Sequence, residues 1–433
     1  MLLLGGTLIA ALLTWVLPPG EFERRDDEAT GRRVAVAGTY HAVAPSPVGP
    51  FAAAVAVPRG LIDAGEVVAV ILFVGGAWVI VERLGTLSVV VAALVARFRR
   101  RGTLTIPLVS LFFAAMGALE NMQEEIIPLI PVLLVLGAGV GIDALAVVAM
   151  SAGAAMIGSA FGPTNPFQAG IALTLAQLPP LERGGLRLAM WAIALAAWIA
   201  VTMRHAAATR PEQAEVAGRD AAPLDGRHVA ILTAVLLPMA LYVAGSLRLG
   251  WGFHELSAVF LCGGVAAGLI GGLGLTGALT TYVEGMQTLL PSAVIVGLAR
   301  SISLVLEDGH VVDALLDLSA RLLGVVPPLA AALLMVPFHA LLHVIVPSVS
   351  GQAVLTMPLL VPLADVLGLS REAPVLAFQT GAGLMELATP TNGALMAVLL
   401  AARVPYQRWL RFVVVAAAVP LIVGLVAIAL VAR

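Results

Sequence analysis

Gly162-Pro163-Thr164-Asn165-Pro166 interrupts an apolar run that extends from Ala144 to Leu175. Thr389-Pro390-Thr391-Asn392-Gly393 interrupts another, from Ala373 to Ala401. Proline removes a backbone donor and collides with the preceding turn, so both runs are predicted to be discontinuous helices. Asn165 before Pro166 has the order of an N-cap followed by proline at the first helical position. Thr391-Asn392-Gly393 offers side-chain oxygens beside a residue that permits close backbone approach. The two Pro-Thr-Asn triplets are 390 − 163 = 227 residues apart. The same offset carries Asn121 to Ser348, Gln123 to Ser350 and Glu125 to Gln352. Those residues belong to two further polar interruptions. Glu120-Asn121-Met122-Gln123-Glu124-Glu125 lies within Leu104 to Leu136, and Pro347-Ser348-Val349-Ser350-Gly351-Gln352 lies within Pro327 to Ala364. Two independent landmarks sharing one offset without a gap indicate an internal duplication.

The composition says what surrounds these breaks. Of 433 residues, 60% are hydrophobic and 12% charged, with a mean hydropathy of +1.01. A globule in water needs a polar skin, and this chain cannot supply one. Soluble enzymes and nucleic-acid-binding proteins are excluded on that ground. The length suits about ten membrane crossings at about 20 residues each. Every basic residue is Arg, and the lone Cys262 rules out an intramolecular disulfide or a cysteine metal cage. A charge cluster in mid-membrane is expensive, so each polar interruption in a hairpin-length run is predicted to be the tip of a re-entrant hairpin.

The predicted architecture is an all-α polytopic membrane protein with inverted repeats, two re-entrant hairpins and two broken helices. An N-terminal half covers 1–203, with repeat 1 at 61–203, a hairpin at about 104–136 and a broken helix at about 142–177. A cytoplasmic linker, 204–228, follows. The C-terminal half covers 229–433, with repeat 2 at 288–433, a hairpin at about 327–365 and a broken helix at about 371–402. Short interfacial helices are expected at Leu84 to Ala96 and Val311 to Leu323. Full spans are expected at Met1–Leu17, Leu61–Val81, Leu186–Met203, Val229–Leu247, His254–Leu273, Leu289–Leu306 and Phe412–Val431. With the broken helices these make nine crossings. Each repeat crosses three times and two spans separate the copies, so the copies enter from opposite sides, the sign of a secondary transporter. Arg-rich segments such as Arg97 to Arg101 and Arg204 to Arg227 then lie on one side, while the short outer loops hold only Arg183, Arg187, Arg248, Arg321 and Arg371. This asymmetry places the N-terminus in the cytoplasm and the C-terminus outside, in a bacterial inner membrane.

Breaking a helix frees N–H groups at one end and C=O groups at the other, which attract anions and cations respectively. The candidate substrate-binding set is Asn121, Gln123, Glu124, Thr164, Asn165, Ser348, Ser350, Gln352, Thr391 and Asn392. A coupling Na⁺ is expected near Asn165 and Asn392, with H⁺ as the alternative ion, and no other cofactor. Glu125 and Glu386 are candidates for ion coupling or charge pairing. Arg300 either grips a substrate carboxylate or pairs with an internal acid to hold two domains together. His339 and His343 are spaced as in half a zinc-protease motif, but the glutamate after the first His is missing, so a structural or proton-linked role is expected. No nucleophile–base set argues for an enzyme. The pattern favours a transporter with a small-molecule substrate and lipid contacts; a channel built from the same repeat is the other reading.

Several segments carry a family resemblance. They are Pro347-Ser348-Val349-Ser350-Gly351-Gln352, Leu355-Thr356-Met357-Pro358, Pro362-Leu363-Ala364-Asp365, Ala377-Phe378-Gln379, the run Pro291 to Arg300, and Trp15-Val16-Leu17-Pro18-Pro19-Gly20-Glu21-Phe22. Together they resemble the YfcC family, a branch of the DcuC-like (C4-dicarboxylate-carrier-like) proteins of the ion transporter superfamily. The resemblance spans nearly the whole chain. It implies a scaffold domain, a transport domain holding the hairpins and broken helices, interfacial arms between them, a homodimer, and an elevator motion. The chain departs from the family at Asn121-Met122-Gln123-Glu124-Glu125 and at Met385-Glu386-Leu387-Ala388-Thr389. An acid-rich site disfavours a doubly anionic substrate, which leans the reading towards an amino acid, including a basic one.

Overall fold

The computed structural model describes residues 2–27, 32–86, 89, 104–163, 165–179, 182–209, 225–249 and 251–432. The first helix, α1 (Leu2–Val16), leads into four short strands, β1 (Gly20–Glu21), β2 (Arg24–Asp27), β3 (Arg32–Ala35) and β4 (His41–Ala42). β1 pairs with β4 and β2 with β3, both antiparallel. The stretch from Pro18 to Arg59, expected to be a polar loop, therefore holds two small ribbons and most of a helix, α2 (Pro50–Asp63). A break at Ala64 precedes α3 (Gly65–Arg83), so the first long span begins four residues later than expected. The predicted interfacial helix at Leu84–Ala96, the arginines at 97 and 99–101, and residues 210–224 of the linker lie wholly or mostly outside the described residues.

Next come α4 (Thr105–Glu120), a 3-10 turn at Glu124–Leu129, α5 (Ile130–Val140), α6 (Ala144–Phe161), a π turn at Pro166–Gly170 running into α7 (Ile171–Leu175), and α8 (Gly184–Ala208). The second half has α9 (Gly226–Leu249), α10 (Phe253–Ile270), α11 (Gly274–Asp308), α12 (Val312–Gly324), α13 (Pro328–Ile345), α14 (Val349–Val366), α15 (Glu372–Glu386), α16 (Gly393–Ala401), α17 (Tyr406–Ala416) and α18 (Ala418–Val431). Among the described residues seven helices are long and apolar enough to cross a membrane, or eight if the bent pair α17–α18 counts as one span. The nine expected crossings are a different set: α13 and α14, the 18-residue limbs of the hairpin expected at about 327–365, are among the seven, while α1, with 15 residues, and the broken helix over α15 and α16 are not.

Three local corrections have physical causes. The span expected at Leu289–Leu306 is the second half of α11, a single helix of 35 residues. At 1.5 Å per residue it is about 52 Å long and exceeds the hydrocarbon thickness. The last span bends by 45° between α17 and α18, because Pro420 cannot donate to the carbonyl of Ala416 and its ring crowds that turn. Arg187, expected in an outer loop, is 1% exposed within α8. Its guanidinium bonds Gln379, and Nη2 lies 3.4 Å from Glu372 of α15. Gln379 in turn donates to the Ala160 carbonyl at 3.1 Å, so one buried charge ties α8, α15 and α6 together.

The helices pack in two groups. One contains α1, α2, α3, α9, α10 and α11; the other contains α4, α6, α8, α13, α14, α15 and α18. The groups meet where α16 lies against α11 and where the 3-10 turn lies against α3. Small residues permit the tightest approaches, as expected when lipid supplies no hydrophobic drive between helices. Gly117 of α4 faces the Ala155 carbonyl, and Gly158 of α6 faces the Ala114 carbonyl, so a Cβ on either glycine would overlap backbone. The Gly158→Val variant is therefore expected to lose about 2 kcal/mol or more of stability, as overpacked cores do. Gly185, where an added Cβ would meet nothing within 4 Å, should tolerate alanine with a change under about 1 kcal/mol. Thermal melts of the detergent-solubilised protein test the contrast, and equal shifts in the two variants would contradict it.

Candidate solute and ion site

The two breaks are built alike. The Asn165 Oδ1 atom accepts from the amides of Phe167 and Gln168 at 2.9 and 2.8 Å. The Asn392 Oδ1 atom accepts from the amide of Leu395 at 3.1 Å. Each asparagine thus caps the helical turns that follow it. Each also turns its Nδ2 back to the carbonyl six residues earlier, Ser159 at 3.4 Å and Glu386 at 3.2 Å. The offset of 227 that pairs the asparagines pairs those two residues as well, since 159 + 227 = 386. Both side chains therefore repair both ends of a broken helix, which an apolar interior requires. Neighbours satisfy two further carbonyls at the second break: Trp409 Nε1 donates to Leu387 O at 2.8 Å and the Tyr406 hydroxyl donates to Ala388 O. Thr391 Oγ1 in the break donates to Val344 O, near the end of α13, at 2.8 Å.

The polar tips converge on the breaks. Asn121, in the left-handed region at φ 59°, ends α4, a position where asparagine is tolerated. Its Oδ1 accepts from the Ser159 hydroxyl and, at 3.1 Å, from Asn165 Nδ2. Gln123 donates through Nε2 to Glu386 Oε2, joining the first tip to the second broken helix. Glu125 Oε2 accepts from the Gln123 amide at 3.1 Å. Ser348 caps α14, accepting from the Gly351 amide at 3.2 Å.

A cavity of about 880 Å³ opens among these groups. Of the predicted residues, Asn121, Gln123, Glu124, Glu125, Arg300, Ser348, Ser350, Glu386, Thr391 and Asn392 border it. Asn165 is fully buried behind Asn121. Gln352 is also fully buried, within hydrogen-bond reach of His343. Thr164 lies outside the described residues. The opposite wall comes from the other packing group, with Asp63, Glu66, Val296 and Glu307. The cavity therefore lies between the two groups of helices.

Its charge is lopsided. Asp63, Glu66, Glu124, Glu125, Glu307 and Glu386 border it, against Arg33 and Arg300. Arg300 is already engaged, with Nε on Asp63 and Nη1 3.1 Å from Glu307. Both partners lie in the same group of helices as Arg300 itself, Asp63 on α2 and Glu307 on α11, so these pairs do not join the two groups. Asp63, Glu66 and Glu307 were not singled out from the sequence. Asp63 and Glu66 flank the short break between α2 and α3, where they read as ordinary helix-end charges. Ser159 was also missed, although the offset of 227 from Glu386 points to it.

Residues 1–432 match the family described as C4-dicarboxylate anaerobic carrier, DcuC. The chain is 32% identical over 377 residues to YfcC of Escherichia coli (strain K12), whose description as a basic amino acid antiporter is itself provisional. That match covers 80% of this chain and 74% of YfcC. It is 29% identical over 397 residues to an uncharacterized protein of Haemophilus influenzae (strain ATCC 51907 / DSM 11121 / KW20 / Rd), covering 88% of this chain and 78% of that one. Among solved structures, the Alcanivorax borkumensis YdaH transporter aligns over 99% of this chain and 97% of its own, at 18% identity and a TM-score of 0.43. The Neisseria gonorrhoeae antimetabolite efflux pump MtrF aligns over 100% and 94%, at 16% identity and 0.44. The family match over nearly the whole length, on helices able to span a bilayer, makes the chain an integral membrane protein of the C4-dicarboxylate anaerobic carrier (DcuC) family of transporters.

Proposed function

We propose that the protein is an ion-coupled secondary transporter of a small carboxylate-bearing metabolite, an amino acid with a cationic side chain rather than a C4-dicarboxylate. The observation that carries the substrate class is the excess of carboxylates around the cavity. Like charges in a poorly solvated site repel strongly, so a doubly anionic solute meets an electrostatic barrier there. A cationic group is attracted. The solute carboxylate is accommodated where the first turns of α14 (Ser350 and Gly351) and α16 (Gly393 and Ala394) border the cavity. Helix N-termini present unpaired amides and a positive dipole end to anions. The provisional description of YfcC as a basic amino acid antiporter supports the same substrate class.

The mechanism is alternating access of the elevator type. The group containing the hairpins and broken helices moves against the group containing α1–α3 and α9–α11, and the cavity between them changes its exposed side. The halves are inverted repeats, the 3-10 turn and the start of α14 are the hairpin tips, and α12 is an interfacial arm. The protein works as a homodimer in the lipid of a bacterial inner membrane, with its N-terminus cytoplasmic and its C-terminus outside. The coupling ion is Na⁺ or H⁺.

Uptake into proteoliposomes tests the reading. Labelled L-arginine or L-lysine should enter saturably and faster than labelled succinate at equal concentration, with Na⁺ and pH gradients imposed separately. Faster succinate uptake would overturn the substrate class, and a non-saturating, ohmic flux would make the protein a channel. The Asn392→Ala variant should lose uptake while losing about 1 kcal/mol of stability, the usual cost of removing an N-cap. Wild-type uptake by a folded Asn392→Ala protein would remove the second break from the site.

A further inference from the structure

Behind the cavity wall lies a chain of buried side chains that the solute site does not explain. His339, His343 and Gln352 are fully buried, and Glu386 is 5% exposed. Gln352 Nε2 lies 2.9 Å from the His339 carbonyl, and Gln352 Oε1 lies 2.9 Å from His343 Nδ1. A carbonyl can only accept, so it sets the orientation of the Gln352 amide. The Gln352 oxygen must then face His343, and an amide oxygen also only accepts. His343 Nδ1 therefore carries a hydrogen. In a neutral imidazole this leaves Nε2 bare, and Nε2 lies 3.4 Å from Glu386 Oε1. Among the described residues Nε2 has no hydrogen-bond partner. A bare nitrogen facing an ionised carboxylate in a dry interior places lone pair against lone pair. One added proton removes the conflict, whether it sits on the ring or on the carboxyl.

We propose that His343 and Glu386 together hold one exchangeable proton, and that a cationic solute displaces it, so that this proton is the coupled ion. The inference rests on the transporter reading above. Glu386 joins the two events because it borders the cavity and accepts from Gln123, which borders it too. A solute cation that reaches the cavity stabilises the ionised carboxylate, and the proton leaves through that cavity to solvent. Solute and proton thus compete for one carboxylate, which yields exchange. Gln352 is a positioning residue, since it fixes which ring nitrogen faces Glu386.

Other titratable groups surround the pair. His339 lies one turn earlier on α13, and Glu124 and Glu125 stand beyond Glu386 on the 3-10 turn. α14 contributes the neutral Gln352 here, and α18 has no titratable residue. On α12, Asp313 pairs with Arg24 and Asp317 with Arg321. On α15, Glu372 pairs with Arg183 and Arg187, and on α11, Arg300 pairs with Asp63 and Glu307.

Proton titration of the purified full-length protein, from acid to alkaline pH in unbuffered detergent solution, tests the site without a substrate. The variants His343→Gln, Glu386→Gln and the double variant, each checked for monodispersity, should lose the same single proton per chain. Gln352→Met, which keeps both titrating groups, should shift the midpoint of that step but not its size. No lost step, or a double variant that loses more than either single one, overturns the shared proton. In proteoliposomes, a pH gradient with the lumen acidic, which drives protons out as the solute enters, should accelerate L-arginine uptake by the wild type and leave Glu386→Gln and His343→Gln unresponsive. Acceleration by a Na⁺ gradient in place of pH overturns the coupling. If the titration step is present but no amino acid enters, the transporter reading falls and the proton site stands.

Discussion

Peptide groups freed inside an apolar interior must find partners, and the rest of this structure depends on how that is done. Two helices stop in mid-course. At each stop an asparagine works in both directions, its oxygen capping the chain ahead and its nitrogen holding a carbonyl behind. At the second break two more carbonyls are taken by Trp409 and Tyr406. At the π turn of α6, Trp198 Nε1 donates to the Ala149 carbonyl at 2.8 Å in the same way. The aromatic donors therefore serve backbone repair as well as packing, which explains the fully buried positions of Trp198 and Trp409.

The first turns of α14 and α16 border the same cavity as six carboxylates. Helix N-termini and carboxylates around one cavity suit a solute that carries both a carboxylate and a cation. Arg300 offsets part of the negative charge. Pinned between Asp63 and Glu307, it neutralises part of the wall contributed by α2 and α11. Glu386 has no arginine partner among the described residues. Its contacts are an amide from Gln123 and an imidazole from His343, both of which respond to the state of the carboxyl.

The membrane setting also decides which polar residues are structural. Arg187 and Glu372 are both almost fully buried, and breaking one partner of such a pair costs about 3–5 kcal/mol. Their contacts knit α8, α15 and α6, and neither residue is part of the cavity lining. The ribbons over Gly20–Ala42 are held differently. Asp313 on α12 accepts from the Phe22 amide at 3.0 Å and from Arg24 at 2.9 Å, so an amphipathic helix and an aqueous ribbon share one buried carboxylate.

Much of the site was legible in the sequence because its signals are local. Pro163-Thr164-Asn165 and Pro390-Thr391-Asn392 mark helix stops by local chemistry, and their common offset is legible by arithmetic alone. The offset of 227 locates Asn121, Gln123, Ser348 and Ser350, and these residues do meet at one cavity. What the sequence did not disclose depends on which residues fold against which. Asp63 and Glu66 belong to the wall only because α3 packs beside the first tip. His343 and Glu386 lie 43 positions apart and face each other only because α13 packs along α15. Arg187 reads as a loop charge until Glu372 and Gln379 are brought to it. Helix breaks and caps are properties of a few consecutive residues, so the chain alone determines them. Charge pairing across helices is set by packing geometry, so only the tertiary structure could decide it.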